Sequence, residues 1–284
     1  MRFNKIYDAC TFIVCLSCLA AIFPCTSWSE TPNWIAPFAE KIYVAWKAGT
    51  PMPQISAAYP DATQQEAYLV QQAFVEEIME SDNIGGYKAA GVANAAADHP
   101  FVAVMPASGI LSSDDKIVVD LKDDPNRHVE TEIGYVFDKA ITAPPADVDA
   151  LQKSVKALVA IVELPGGAVE KKQPGTGNDI IAWNINAKAM VVGKEHRPDS
   201  IDPDAVEIAL TRDGKTINTA TGDRAAVGQW NTLLKTVNHV LAQGYTIQPG
   251  HVITNGALGK IVKAEPGTYH ADFSSLGTIT LSVR

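Results

Sequence analysis

The sequence predicts an α+β fold with a curved, largely β core and helices at its periphery. Two observations carry that expectation. Runs with helical apolar spacing are few, whereas short apolar or alternating runs bounded by Gly, Pro, Asn and Asp recur along the 284 residues. No repeat and no Pro- or Gly-rich linker divides the chain, so residues 30 to 284 read as a single domain.

The first 29 residues stand apart. Arg2 and Lys5 precede an apolar stretch from Ala9 to Phe23, and small residues follow around Cys25-Thr26-Ser27, the pattern of an export signal. The apolar stretch, roughly 15 residues, is short for a span of about 20, and polar Ser27, Ser29 and Glu30 follow it without a basic stop-transfer cluster. Residues 1–29 are therefore expected to be a signal peptide cleaved near Ser27 or Ser29, leaving an exported, periplasmic or secreted, domain that does not bind membrane. An uncleaved anchor is the alternative. All four cysteines (Cys10, Cys15, Cys18 and Cys25) lie in this segment, so the mature domain would have no thiol chemistry. Phe23-Pro24 is an unsuitable lead-in to a lipidated Cys25.

After an opening rich in proline (Pro32, Pro37, Pro51, Pro53), Gln64 to Ser81 places Ala67, Val70, Phe74 and Ile78 on one side of a helix. Ile84-Gly85-Gly86 reads as punctuation, and Tyr87-Lys88 opens a segment that is helix or loop. Ile117 to Leu121 and Val129 to Phe137 read as strands. In the second, Glu130, Glu132, Gly134 and Val136 share one face, and Val129, Thr131, Ile133, Tyr135 and Phe137 the other. Asp147 caps a short helix to Lys156, and Ala157 to Val162 is a buried strand ending on Glu163. Asp179 to Trp183 and Ala187 to Val192 look like further strands. Glu207 to Arg212 and Thr216 to Ala220 form a hairpin across Asp213-Gly214. A helix runs from Gln229 to Leu241 and stops at Gly244, and strands follow at Val252 to Thr254, around Ile261-Val262 and from Ile279 to Val283.

With 32 acidic against 23 basic residues the chain carries a formal charge of −9, which argues against nucleic acid or anionic membrane as a main partner. A small anionic substrate would need local positive charge, such as a metal. Glu130 and Glu132, at i and i+2 of a strand, can converge on one hard cation, or they can form the solvated face of a half-buried strand. Glu163 closes six consecutive apolar residues, where a carboxylate is costly unless paired; the alternative is a strand end that reaches water at Pro165-Gly166-Gly167. Lys88 is either a surface lysine or, in a desolvated pocket, a carboxylate binder or proton carrier. No histidine pair is spaced for zinc on a helix, and neither Gly-x-Ser-x-Gly nor a strand-bound Gly-x-Gly-x-x-Gly occurs. Gly214-Lys215-Thr216 imitates the tail of a P-loop, but Ala209 replaces its leading glycine and the triplet reads as a hairpin turn.

Taken together, Gly86-Tyr87-Lys88, Val129-Glu130-Thr131-Glu132-Ile133 and Ala160-Ile161-Val162-Glu163 resemble the lysine segment, the Glu-x-Glu strand and the third-ligand strand of the 2-oxopent-4-enoate hydratases and 4-oxalocrotonate decarboxylases. These belong to the fumarylacetoacetase superfamily. Gly228-Gln229-Trp230-Asn231, Gln248 to Ile253 and Gly256-Ala257-Leu258-Gly259 extend the resemblance, which covers about Glu66 to Val283.

The resemblance implies a fumarylacetoacetase-like fold with Glu130, Glu132 and Glu163 as ligands of Mg²⁺ or Mn²⁺. It also implies Lys88 as an active-site lysine, and Asn184, Asn255, Gly256 and Gly259 as substrate-binding positions. A glutamate as third ligand is more like the hydratase branch than the hydrolases, which usually place aspartate there. The implied activity is a metal-dependent carbon-oxygen lyase of aromatic-compound catabolism acting on 2-hydroxypenta-2,4-dienoate-like 2-oxo acids, in a homo-oligomer. Decarboxylation or carbon-carbon hydrolysis on the same frame, or non-catalytic binding of a 2-oxo acid, are the alternatives. The sequence departs from the family at the proton-transfer positions. His99-Pro100 precedes Phe101 where an acidic residue is usual, leaving Asp98 or His99 as acid/base candidates. Asn255 replaces a threonine, Asn186 a serine and His128 an arginine.

Overall fold

The computed structural model describes residues 31–91, 100–224 and 227–284. The expected signal peptide lies outside these residues, as do Asp98 and His99. The helices are α1 (Ile35–Ala48), α2 (Ile55–Ala58), α3 (Gln64–Met79), α4 (Val148–Gln152), α5 (Gly177–Ala182) and α6 (Gln229–Ala242). The strands are β1 (Ile84–Ala90), β2 (Phe101–Pro106), β3 (Ile110–Ser112), β4 (Val118–Val119), β5 (His128–Phe137), β6 (Val155–Glu163) and β7 (Met190–Val192). They continue with β8 (Glu207–Arg212), β9 (Lys215–Thr221), β10 (Val252–Thr254), β11 (Val262–Lys263), β12 (Gly267–Asp272) and β13 (Thr278–Val283).

Two mixed sheets result. The larger runs β2-β1-β10-β5-β6-β7-β3, with β11 also paired to β5; the smaller runs β4-β13-β12-β8-β9. The two longest strands, β5 and β6, are antiparallel neighbours at the centre of the larger sheet, and both faces of each are covered. Val129, Ile133, Tyr135 and Phe137 join Leu158, Ala160 and Val162 in the main core. On the reverse face Val136, Ala157, Val159 and Ile161 pack with Ala103, Met105, Ile185 and Val252 in a second, smaller core. The glutamates of β5 and β6 lie on that second face, so burial of the sheet on both sides forces them out of solvent.

The helical ends follow local chemistry. Thr63 and Glu66 form a reciprocal capping box at the start of α3, and Asp147 accepts a hydrogen bond from the Ala150 amide at the start of α4. The sequence assigns no element to the proline-rich opening, and α1 forms there. Proline is accommodated there in the first turn, where its missing amide costs no helical bond.

Three local expectations are corrected. Asp179 to Trp183 is not a strand. Thr176 and Asp179 form a second capping box, and Asp179 also accepts from the Ser56 amide and hydroxyl at 3.0 and 2.7 Å, which starts α5. Gly85-Gly86 does not interrupt the chain but lies inside β1, where a Cβ on Gly86 would overlap the Val252 carbonyl of the parallel strand β10. The α4 helix is shorter than expected, because Val155 and Lys156 already belong to β6. Asp213 and Gly214 adopt the left-handed conformations (φ 50° and 78°) of a tight hairpin turn, as the Asp-Gly pair predicts.

Buried Asp179 ties α2 to α5 through four hydrogen-bonding donors, two from Ser56 and two from Thr176. Replacing it by alanine is expected to lower the unfolding free energy by about 2–4 kcal/mol, read from denaturant midpoints. An unchanged midpoint would contradict this account of α5.

Candidate functional site

The pairing of β5 with β6 puts Glu130 directly opposite Glu163, and Glu132 follows two residues along on the same face. One carboxylate oxygen from each of the three lies within 4.8 Å of the others. Glu132 and Glu163 are fully buried and Glu130 is 7% exposed. Lys88 comes from β1, two strands away, and its ammonium donates to Glu163 Oε1 and, at 3.4 Å, to the Ile185 carbonyl.

This is an electrostatically unbalanced cluster. Three carboxylates face one buried ammonium, and neither oxygen of Glu132 nor Oε2 of Glu163 has a hydrogen bond of standard geometry. Burial, reinforced by the Glu163 charge and opposed by Lys88, pushes Glu130 up to about 7. Burial drives Glu132 further, well above the usual carboxylate range; Glu163 and Glu130 add to it, while Lys88 and the neighbouring Thr254 hydroxyl oppose it. For Lys88, burial favours the neutral amine, but the charges of Glu163, Glu130 and Glu132 prevail and hold it cationic above its ordinary value. Bare, buried, oxygen-only donors surrounding a point fit a hard divalent cation.

Above the cluster opens a cavity of about 500 Å³. Lys88 and Glu130 lie in its lining together with Asn255, Gly256 and Gly259, so five of the residues expected in the site share one wall. The loop from Asn255 to Lys260 is fixed from behind. Thr131, between the two glutamates but on the opposite face, exchanges hydrogen bonds with Leu258 (hydroxyl to carbonyl 2.9 Å; Leu258 amide to Thr131 carbonyl 2.8 Å). Asn218 Nδ2 donates to the same Leu258 carbonyl at 3.1 Å, and its Oδ1 accepts from the Lys260 amide at 2.9 Å. Gly259 (φ 89°) is required there, since a Cβ would overlap the Asn218 amide.

Asn184 is a correction. It does not line the cavity; its Oδ1 accepts from the Val104 amide (2.9 Å) and its Nδ2 donates to the Val104 carbonyl (2.8 Å), so both ends of the amide are spent on β2. It has a structural task instead. Asn184, Ile185 and Asn186 are three consecutive left-handed residues (φ 50°, 49° and 53°), which is costly for a β-branched isoleucine. The Asn184 bonds help hold this bend, which turns the Ile185 carbonyl toward Lys88 and sets Ile185 and Asn186 in the cavity wall.

Gln229 is a lining residue that sequence reading left without a role. Its Nε2 donates to the Gly222 carbonyl (2.9 Å), so its Oε1 is turned to accept from Asn255 Nδ2 (2.9 Å) and the Tyr135 hydroxyl (3.2 Å). The Gly228-Gln229-Trp230 motif placed it at a helix start, but only the fold brings that start against Asn255.

No family model matches the chain. A 2-keto-4-pentenoate hydratase of Paraburkholderia xenovorans is 24% identical over 257 residues, covering 88% of this chain and 94% of that protein. A 2-oxo-hept-4-ene-1,7-dioate hydratase of Escherichia coli is 24% identical over 255 residues, covering 85% and 95%. The structure of 4-oxalocrotonate decarboxylase from Pseudomonas putida G7, complexed with magnesium and adipate, superposes with a TM-score of 0.80 at 17% identity, over 88% of this chain and 97% of that one. The chain resembles the hydratase–decarboxylase family of the fumarylacetoacetase superfamily. It shares the fumarylacetoacetase-like α+β fold of that family and a sequence likeness to its hydratases over nearly its whole length.

The raised carboxylate values set a pH dependence for the metal-free protein. Glu130 binds its proton more tightly folded (about 7) than at its ordinary value of 4.5, so the folded state holds more protons than the unfolded one between these values. Chelator-treated protein is therefore expected to lose thermal stability as pH rises from about 4.5 through 7, with Glu132 extending the loss upward. A flat profile over that range would show that the cluster is not strained by its own charge.

Proposed function

We propose that Glu130, Glu132 and Glu163 hold Mg²⁺ or Mn²⁺ and that the protein is a hydratase of short 2-oxo acids of the 2-hydroxypenta-2,4-dienoate type. The observation that carries this reading is the convergence of three buried carboxylates, two of them with unsatisfied oxygens, beside a buried lysine, with Glu130 and Lys88 opening onto one cavity. The full-length likeness to hydratases supports the reaction class.

A cation bound there supplies Lewis acidity and orientation to the 2-oxygen and carboxylate of such an acid. Lys88 is held in place by Glu163 and the Ile185 carbonyl, remains charged despite burial, and is the group that pairs with the substrate carboxylate or delivers a proton. The Gly256 to Gly259 loop lets backbone approach the substrate closely, and Asn255 presents its free carbonyl oxygen as an acceptor. Protonation of the dienol at its terminal carbon with loss of the enol proton gives the conjugated 2-oxo acid, and water then adds its hydroxyl at the fourth carbon and a second proton at the third. Asp98 and His99 are the candidates for moving that second proton. On this reading the protein works as a homo-oligomer outside the cytoplasm, which the apolar leader of residues 1–29 supports.

Purified protein with Mg²⁺ or Mn²⁺ is expected to bleach the ultraviolet absorbance of 2-hydroxypenta-2,4-dienoate without releasing CO₂. No change, with substrate bound, would rule out hydration; CO₂ release from a dicarboxylic substrate would point to decarboxylation. Glu132→Gln is expected to weaken Mg²⁺ binding at least tenfold by calorimetry, yet to raise the melting temperature of the metal-free protein at pH 8 because it removes a buried unpaired charge. A metal affinity unchanged by this substitution would contradict the ligand assignment.

A further inference from the structure

Lys88 is the one full cation in the cavity lining among the described residues, and it sits at the carboxylate cluster. A dicarboxylic substrate would need a second positive group, or free donors, at the far end. His128 stands where the family resemblance would place an arginine, and the lining includes Phe101, Ile180, Ile185 and Ile261. Two of the amide donors in the lining are spent: Asn255 Nδ2 on the Gln229 carbonyl and Oε1 (2.8 and 2.9 Å), Gln229 Nε2 on the Gly222 carbonyl. Flipping the Asn255 amide would oppose two acceptors, so the orientation is fixed and Nδ2 stays committed to Gln229. A second carboxylate beside Phe101, Ile180 and Ile261 would be desolvated against apolar surface, with no full cation other than Lys88 among the described lining residues to offset the cost.

We propose that this cavity selects 2-oxo acids with a single carboxylate and an uncharged, apolar tail that can extend beyond five carbons, the tail lying along Phe101, Ile185, Ile180 and Ile261. The volume of about 500 Å³ is that of a site for a larger ligand, which a five-carbon acid would leave mostly unfilled. Ile180 and Ile261 are 40% and 63% exposed, so the tail finds its apolar contacts toward the mouth. This inference rests on the 2-oxo-acid reading above, and it separates this chain from its E. coli relative, which by name acts on a 1,7-dioate.

The matched pair 2-oxooctanoate and 2-oxooctanedioate differs only in the distal carboxylate and is not hydrated by either route. Calorimetric titration of each into the Mg²⁺-loaded full chain is expected to show the monoacid binding about tenfold or more tightly. Ile180→Lys, with Ile261→Lys as a second variant at the more exposed position, is expected to narrow that gap at least about threefold by supplying the missing cation. Equal or tighter binding of the dioate to the unaltered protein would overturn the proposal, and a gap unchanged in both variants would overturn the placement of the tail. If Mg²⁺ binds but neither acid does, the 2-oxo-acid reading itself fails and takes this inference with it.

Discussion

The site depends on one unfavourable arrangement: three carboxylates and a single ammonium buried on the same face of a central sheet. Solvent would normally separate such charges, and here the second apolar core prevents it. Lys88 is committed to Glu163, Glu132 has no hydrogen bond of standard geometry, and burial together with the Glu163 charge raises both Glu130 and Glu132. Two remedies exist, proton uptake or a divalent cation, and the first surrenders the negative charge that makes the site useful. The raised carboxylates are therefore a strain that a bound divalent cation would relieve.

Much of the surrounding structure can be understood as holding that arrangement. The long β5–β6 pairing sets the register that opposes Glu130 to Glu163. Thr131, whose side chain points away from the glutamates, anchors the Leu258 loop so that the same strand positions both the cluster and one wall of the cavity. Strain at Ile185 is balanced by the two Asn184 bonds to β2, and in return a carbonyl reaches Lys88.

Part of the cluster was legible in the sequence because strand periodicity is local: i and i+2 in β5 share a face and Glu163 closes an apolar run, whereas their burial stayed open until the fold covered both faces of the sheet. Lys88 carried a weaker signal, since Gly85-Gly86 looked like a break and its role as a close approach to β10 is a property of the pairing. The same limit explains Asp179, whose helix-starting bonds come partly from Ser56, far away in sequence. Asn184 was assigned by family likeness alone, and its two bonds to Val104 show why likeness does not fix which side of a bend an amide faces. Gln229 was visible only as part of a motif, because the orientation of its amide depends on Gly222 and Asn255.

Anomalous diffraction from crystals grown with Mn²⁺ tests the central claim most directly. The account predicts one strong peak bonded by an oxygen from each of Glu130, Glu132 and Glu163, at about the 2.0–2.2 Å of a hard divalent ion on carboxylate. A fully Mn²⁺-equilibrated crystal with no peak among these three residues, or with the ion held elsewhere, would contradict it.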